Sequence, residues 1–212
     1  MATASQSLFN MTVASDNAGG NQGLLMPKLQ FRFRVNFINF GVDASGGLNL
    51  TKQVVDVTRP NLSFAEIPLQ VYNSTIKLAG KHTWADITVN VRDDASGSVS
   101  KAVGQQLQKQ MDFVEQASAA TGQDYKFQTN IEILDGGNGT AAPIVLETWE
   151  LYGCFLKTAN YNNLNYGTSE AVTIQLAIAY DNAIQAPLAS GVGASIGRLA
   201  SGESATGIGA VT

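Results

Sequence analysis

One histidine and one cysteine, His82 and Cys154, are all that the 212 residues contain of either type, and their scarcity excludes most enzyme chemistry. A single thiol can form no intramolecular disulfide and no cysteine-based zinc cluster. A single imidazole supplies no H-E-x-x-H pair. Charge is scarce too: charged residues make up 14% of the chain against 44% hydrophobic. The surface must therefore be covered largely by Asn, Gln, Ser, Thr, Gly and Ala. Lys and Arg number 13 against 17 Asp and Glu, a formal charge of −4, which lacks the basic excess of a protein that grips nucleic acid through phosphates. No window reaches the ~18 consecutive apolar residues of a membrane span. The opening MATASQSLFNMTVAS has no basic n-region and no apolar run of signal-peptide length. The expectation is synthesis in the cytoplasm, no membrane, no cofactor and no metal.

What remains is enough for one good core. Residues 1–26 and 187–212 are rich in Gly, Ala, Ser and Asn without sustained periodicity, and read as two arms flanking a domain over 27–186. Inside the domain the dominant pattern is period 2. FRFRVNF alternates Phe31, Phe33, Val35 and Phe37 against Arg32, Arg34 and Asn36, a strand with one buried face. VVDVTR, IKLAG, ITVNVRD and YKFQTNIEI continue the theme, with Ile87, Val89 and Val91 on one face of the third. DGGNGT then reads as a turn. Two longer strands follow. VLETWELYGCFL is read with Val145, Trp149, Leu151 and Phe155 on one face and Leu146, Tyr152, Cys154 and Leu156 on the other; EAVTIQLAIAY aligns Val172, Ile174, Leu176, Ile178 and Tyr180. Both belong near the middle of a sheet.

After Asp93 the period changes. Val99, Val103, Leu107, Met111 and Val114 recur every three or four residues, predicting one amphipathic helix of roughly 20 residues, capped by Asp94 or Ser96 and ended by Gly122. Six or more strands with one flanking helix make an α+β, mainly β chain, a barrel or sandwich.

Catalytic candidates are few. His82 stands alone in a polar stretch, Cys154 lies mid-strand among apolar neighbours, and Asp93 with Asp94 sits where a strand passes into a helix. Each reads as architecture. GVGASIG at 191–197 misses the G-x-G-x-x-G spacing by one residue and lacks a strand-turn-helix context. Long strands, weakly charged faces and the lack of an active site point to assembly, in which open sheet edges are covered by identical neighbours.

The segment IPLQVYNSTIKLAGKHTWADITVNVRDD, residues 67–94, resembles the central signature of the tail tube proteins of contractile-tailed bacteriophages. It has a proline-containing loop, a strand ending in Gly80, a short turn into Thr83 and Trp84, and an alternating strand bearing Ile87, Val89 and Val91. The likeness extends over about 27–184, through LETWELYGCFLK and EAVTIQLAIAYDN. It implies a tail-tube-like fold, related to the ring proteins of type VI secretion, in hexameric rings stacked into a tube within the virion tail. The tube would form the conduit for DNA ejection and be assembled in the host cytoplasm. The partners implied are further copies of the chain, a tail sheath protein, a tape-measure protein, and baseplate hub and tail terminator proteins, with DNA passing through the lumen unbound. In such tubes a loop reaches the neighbouring ring, and the matching residues are Arg59, Pro60, Phe64, Ile67, Pro68, Val71, Tyr72 and Asn73. Arg32 and Arg34 are expected to face another subunit or the sheath rather than the channel. A ring protein of a secretion or phage-derived contractile system is the alternative, and a monomeric ligand-binding β-barrel using Trp84 and Trp149 is a further one.

Overall fold

The structure, a computed structural model, describes residues 28–42, 46–135 and 143–186. Both predicted arms, and all of the DGGNGT turn after Asp135, lie outside the described residues. In chain order the elements are β1 (Phe33–Ile38), α1 (Gly46–Gln53), β2 (Val54–Val57), β3 (Leu62–Val71), β4 (Ser74–Trp84), β5 (Ile87–Arg92), α2 (Ser98–Gln110), β6 (Met111–Asp112), β7 (Ala117–Ser118), α3 (Gly122–Tyr125), β8 (Phe127–Leu134), β9 (Val145–Asn160), β10 (Thr173–Ala179) and β11 (Asn182–Ala186).

Seven of the strands form one antiparallel system in the order β1-β8-β9-β10-β5-β2, with β11 also paired to β9. The long strand β9 belongs to two layers. Its first half pairs with β8 and β11, and its second half with β10. The apolar faces of the two layers meet in one core. Val35, Ile131, Trp149 and Leu151 come from one layer, and Val89, Val91, Leu176 and Ile178 from the other, all buried. The result is a sandwich. No barrel closes, because β1 and β2 end the strand order without pairing to each other; α1 joins these two strands and packs on β1 and α2, with Leu50 fully buried.

Gly153 is what lets β9 change layers. Its φ of +68° is open to glycine at no steric cost. The register against β8 gains one residue between Leu151 and Cys154, a β-bulge. Buried positions accordingly run Glu147, Trp149, Leu151 and then Cys154, Leu156. Strict alternation, which placed Cys154 and Leu156 opposite Trp149, fails at this residue.

The described residues contain three helices, where the sequence pattern predicts one. The predicted helix is α2, and it is shorter than its apolar stripe. Val99, Ala102, Val103 and Gln106 are buried, but Met111 and Val114 are exposed. The Asp112 carboxylate accepts the backbone N–H groups of Val114 and Glu115, offering the chain a turn that competes with the helix. At the other end Gly97 occupies the cap position, while Asp94 accepts the Ser98 N–H at 2.8 Å. The acidic residue predicted as the cap thus meets the first helical N–H from three residues further out.

Polar groups are used where the packing leaves gaps. Gln110 donates from Nε2 to the Leu156 carbonyl and accepts the Leu156 N–H at Oε1, so its amide stands in for a neighbouring strand along β9. Gln106, fully buried, accepts the Gly41 N–H and donates to the Tyr125 carbonyl. Glu147, also buried, is held by Lys28, by the Trp149 indole N–H at 2.8 Å and by the Gln185 amide at 2.7 Å. Burial pushes this carboxyl up, but the three donors outweigh it and hold its pKa below the ordinary value.

Candidate functional site: an assembly surface

The candidate enzymatic groups are occupied structurally. His82 lies between two aromatic rings, with Phe64 and Trp84 each 6.3 Å away between centroids. Cys154 is fully buried, and burial pushes its thiol up to about 11, far from a thiolate nucleophile. The Ser96 and Ser98 hydroxyls hold Asp94 down at about 2, and Asp93 accepts from Ser100. Among the described residues no group of three or more His, Cys, Asp and Glu is placed to hold a metal, and no helix is long and apolar enough to cross a membrane.

The unusual feature is the β3–β4 hairpin. Ten residues of β3 pair with eleven of β4 through a two-residue connection, Tyr72 and Asn73, with Tyr72 at φ +47°. At ~3.3 Å per residue the ladder is roughly 33 Å long. Among the described residues no second layer packs on this two-stranded ribbon, and nearly every residue of both strands is exposed. Such a ribbon is marginal alone in water, so its surface needs a cover.

Register divides the ribbon into faces. Ile67 lies opposite Leu78, and Leu69 opposite Ile76, with Val71 next along the same face. These five side chains form an apolar stripe, each residue between 45% and 49% exposed. The other face carries the Glu66–Lys77 ion pair and the Thr75–Gln70 hydrogen bond, both on the surface. Near the base the apolar face changes sides. One extra β4 residue stands opposite Ala65 around Gly80, where an added Cβ would lie 2.9 Å from the Ala65 carbonyl oxygen. Beyond that bulge Phe64, His82 and Trp84 share the opposite face, and Trp84 reaches the core against Tyr180. The base is anchored, and the distal stripe is uncovered among the described residues. Covering five half-exposed aliphatic side chains is worth about 1 kcal/mol each, or about 5 kcal/mol in all.

The expected inter-ring residues fall largely on this hairpin. Phe64, Ile67, Pro68 and Val71 are in β3, and Tyr72 and Asn73 form its tip; Arg59 and Pro60 lie in the chain leading to its base. The segment is a strand where the sequence reading has a loop. Pro68 suggested a break, but the outer edge of a two-stranded ribbon tolerates a residue that cannot donate. Gly80 and Thr83, expected to shape a turn, lie inside β4, and the break comes later, at Ala85 and Asp86. Ile87, Val89 and Val91 are buried in β5. Leu69, Ile76 and Leu78 are not among the expected contacts, although IPLQV and STIKL, flanking a two-residue turn, carry the alternation that marks a hairpin. Arg32 donates to the Asp135 carbonyl, and Arg34 donates from both Nε and Nη2 to one carboxylate oxygen, Oε2, of Glu132, its cross-strand partner.

Open edges complete the surface. In the layer made by β1, β8, β9 and β11, the outer edges of β1 and β11 have no strand partner among the described residues. The outer face there is mixed, with Asn36, Gln128, Asn130 and Thr148 beside the Arg34–Glu132 pair, Glu150 and the exposed Ile38 and Tyr152.

No protein-family model matches the chain. No curated protein matches it. Solved structures do. A chain of the anti-feeding prophage baseplate aligns with a TM-score of 0.56 at 12% identity, over 77% of this chain and 97% of that one. A chain of the sheath–tube complex of the PVC extracellular contractile injection system gives 0.55 at 13%, over 77% and 93%. A chain of that system's sheath/tube terminator gives 0.54 at 12%, over 78% and 100%. The fold is shared with contractile injection systems. At these identities the likeness concerns fold alone, and it covers nearly the whole of each matched chain.

Proposed function

We propose that this chain is a structural subunit that assembles into rings, and that the rings stack into the inner tube of a contractile injection system. The observation that carries this is the β3–β4 hairpin, a long ribbon whose apolar stripe has no cover among the described residues. The open edges of β1 and β11 supply the lateral contact: pairing one with the other on the next copy repeats by rotation until a ring closes. Six copies per ring follow from the tail-tube resemblance. A sheath outside, and a cargo within the lumen, are the partners of such a tube. The broad form, a ring protein of an injection particle, is preferred to the narrower one of a DNA-conducting virion tail, because the structures sharing the fold belong to injection particles.

The test is to replace Val71 and Tyr72 together by Asp and image the purified protein beside wild type. Both residues sit at the exposed tip, so the subunit should fold as before while stacked tubes are lost. Tubes of ordinary length from the double variant would remove the hairpin from the assembly.

A further inference from the structure

A stripe that stacks must land somewhere. Strand β5 runs between two ends of the molecule. At its start Ala85 leads from the hairpin base, its N–H bonded to the Asn61 carbonyl at 3.0 Å. At its finish Arg92 pairs with Thr173, and the Asp93 N–H bonds the Val172 carbonyl at 2.9 Å. The connection 161–172 between β9 and β10 therefore lies at the end of the β5–β10 ladder opposite the hairpin.

That connection has the marks of a receiving surface. Leu164 is 81% exposed and Tyr166 fully so, and Tyr161 and Val172 are about half exposed. Its residues surround a surface hollow. The shape is held by its own side chains: Asn162 donates to the Thr173 carbonyl at 3.0 Å, and Asn165 accepts the Gly167 N–H at 2.8 Å. Glu170 is its one charged residue, and the hairpin tip from Leu69 to Ile76 has none. Bringing the two together desolvates almost no charge, and their Asn, Gln, Ser and Thr side chains can exchange hydrogen bonds at the rim.

We infer that the 161–172 connection of one subunit receives the β3–β4 hairpin tip of the next. The inference rests on the tube-subunit function proposed above and adds the acceptor. The contact joins unlike surfaces at opposite ends of one chain, so it is heterologous and extends copy after copy, as stacking requires. A hairpin-to-hairpin contact would stop at pairs and leave Leu164 and Tyr166 uncovered. Tyr72 and Tyr166 with their aliphatic neighbours offer roughly 800 Å² of apolar surface, which suits the apolar part of a standard interface.

The experiment is disulfide trapping in the full chain, with buried Cys154 left in place. Tyr72→Cys and Leu164→Cys are made singly and together; Val71→Cys with Tyr166→Cys is a second pair, and thermal melts confirm folding. After mild oxidation, the double variants should give a ladder of covalent oligomers on a denaturing gel, while wild type and single variants stay monomeric. Rings or tubes visible by electron microscopy without a ladder from either pair overturn this acceptor and leave the tube function standing, with the 161–172 connection free for a sheath. A dimer from Tyr72→Cys alone overturns it in favour of a symmetric contact. Absence of rings, tubes and ladder at high concentration overturns both.

Discussion

Replacing Gly153 by Ala strikes the residue that carries β9 from one layer to the other. At φ +68° a side chain costs about 1–2 kcal/mol in the left-handed region. The new Cβ would also lie 2.1 Å from Asp181 Oδ2 and 2.7 Å from its Cγ, so that carboxylate must swing aside. Swinging breaks the 2.5 Å bond from Lys126 Nζ, a surface pair worth about 0–1 kcal/mol. The stiffer unfolded chain returns about 0.4–1 kcal/mol. The net loss is about 1–2 kcal/mol, or a fall in Tm of roughly 2–8 °C for a domain of this size. Urea and thermal melts by circular dichroism, at concentrations low enough to keep the protein unassembled, measure it. In an Asp181→Ala background the same substitution should cost less by up to about 1 kcal/mol, since the displaced carboxylate is gone. A Gly153→Ala protein as stable as wild type would mean that β9 has no bulge here and that strict alternation runs through it.

Other expectations concern the groups that looked chemical. Cys154 should be unreactive to a thiol reagent in the native protein and titrate as one thiol in denaturant; fast native reaction would contradict its burial and its pKa of about 11. The folded pKa of Asp94, about 2, lies below the ~3.9 of an unfolded Asp. Its contribution to stability is therefore present above pH ~4 and lost as pH falls to ~2. The difference in Tm between wild type and Asp94→Ala should shrink across that window, and a constant difference would refute the charge's role. Gln110→Ala removes two backbone bonds from Leu156 and should cost about 1–3 kcal/mol; a neutral result would mean that water replaces it.

Strand identity was legible wherever one face is buried and the other is polar. In β1, β5, β8 and β10 the period-2 pattern coincides with buried residues such as Val35, Val89, Ile131 and Leu176. Three things were hidden, each for a local reason. The bulge at Gly153 reverses alternation, and a glycine in a strand does not announce which way it will act. The end of α2 was masked because Met111 and Val114 continue the apolar stripe although the backbone is already extended at Met111 and turns at Asp112. Strand β3 was obscured by Pro68, whose exclusion from sheets applies to interior strands and not to a ribbon in which both are edges. The proposed assembly surface was partly legible: Phe64, Ile67, Val71 and Tyr72 were conspicuous as apolar residues in an apparent loop. Leu78 and Ile76, which the register places opposite Ile67 and Leu69, read only as part of an alternating strand, and the structure shows them facing solvent.

The most direct measurement is negative-stain electron microscopy of the concentrated purified protein, beside the same chain with Val71 and Tyr72 both changed to Asp. Wild type should show rings or hollow stacked tubes, and the double variant folded protein without stacks. A monodisperse monomer from wild type at every concentration, with the hairpin stripe left in water, would contradict assembly.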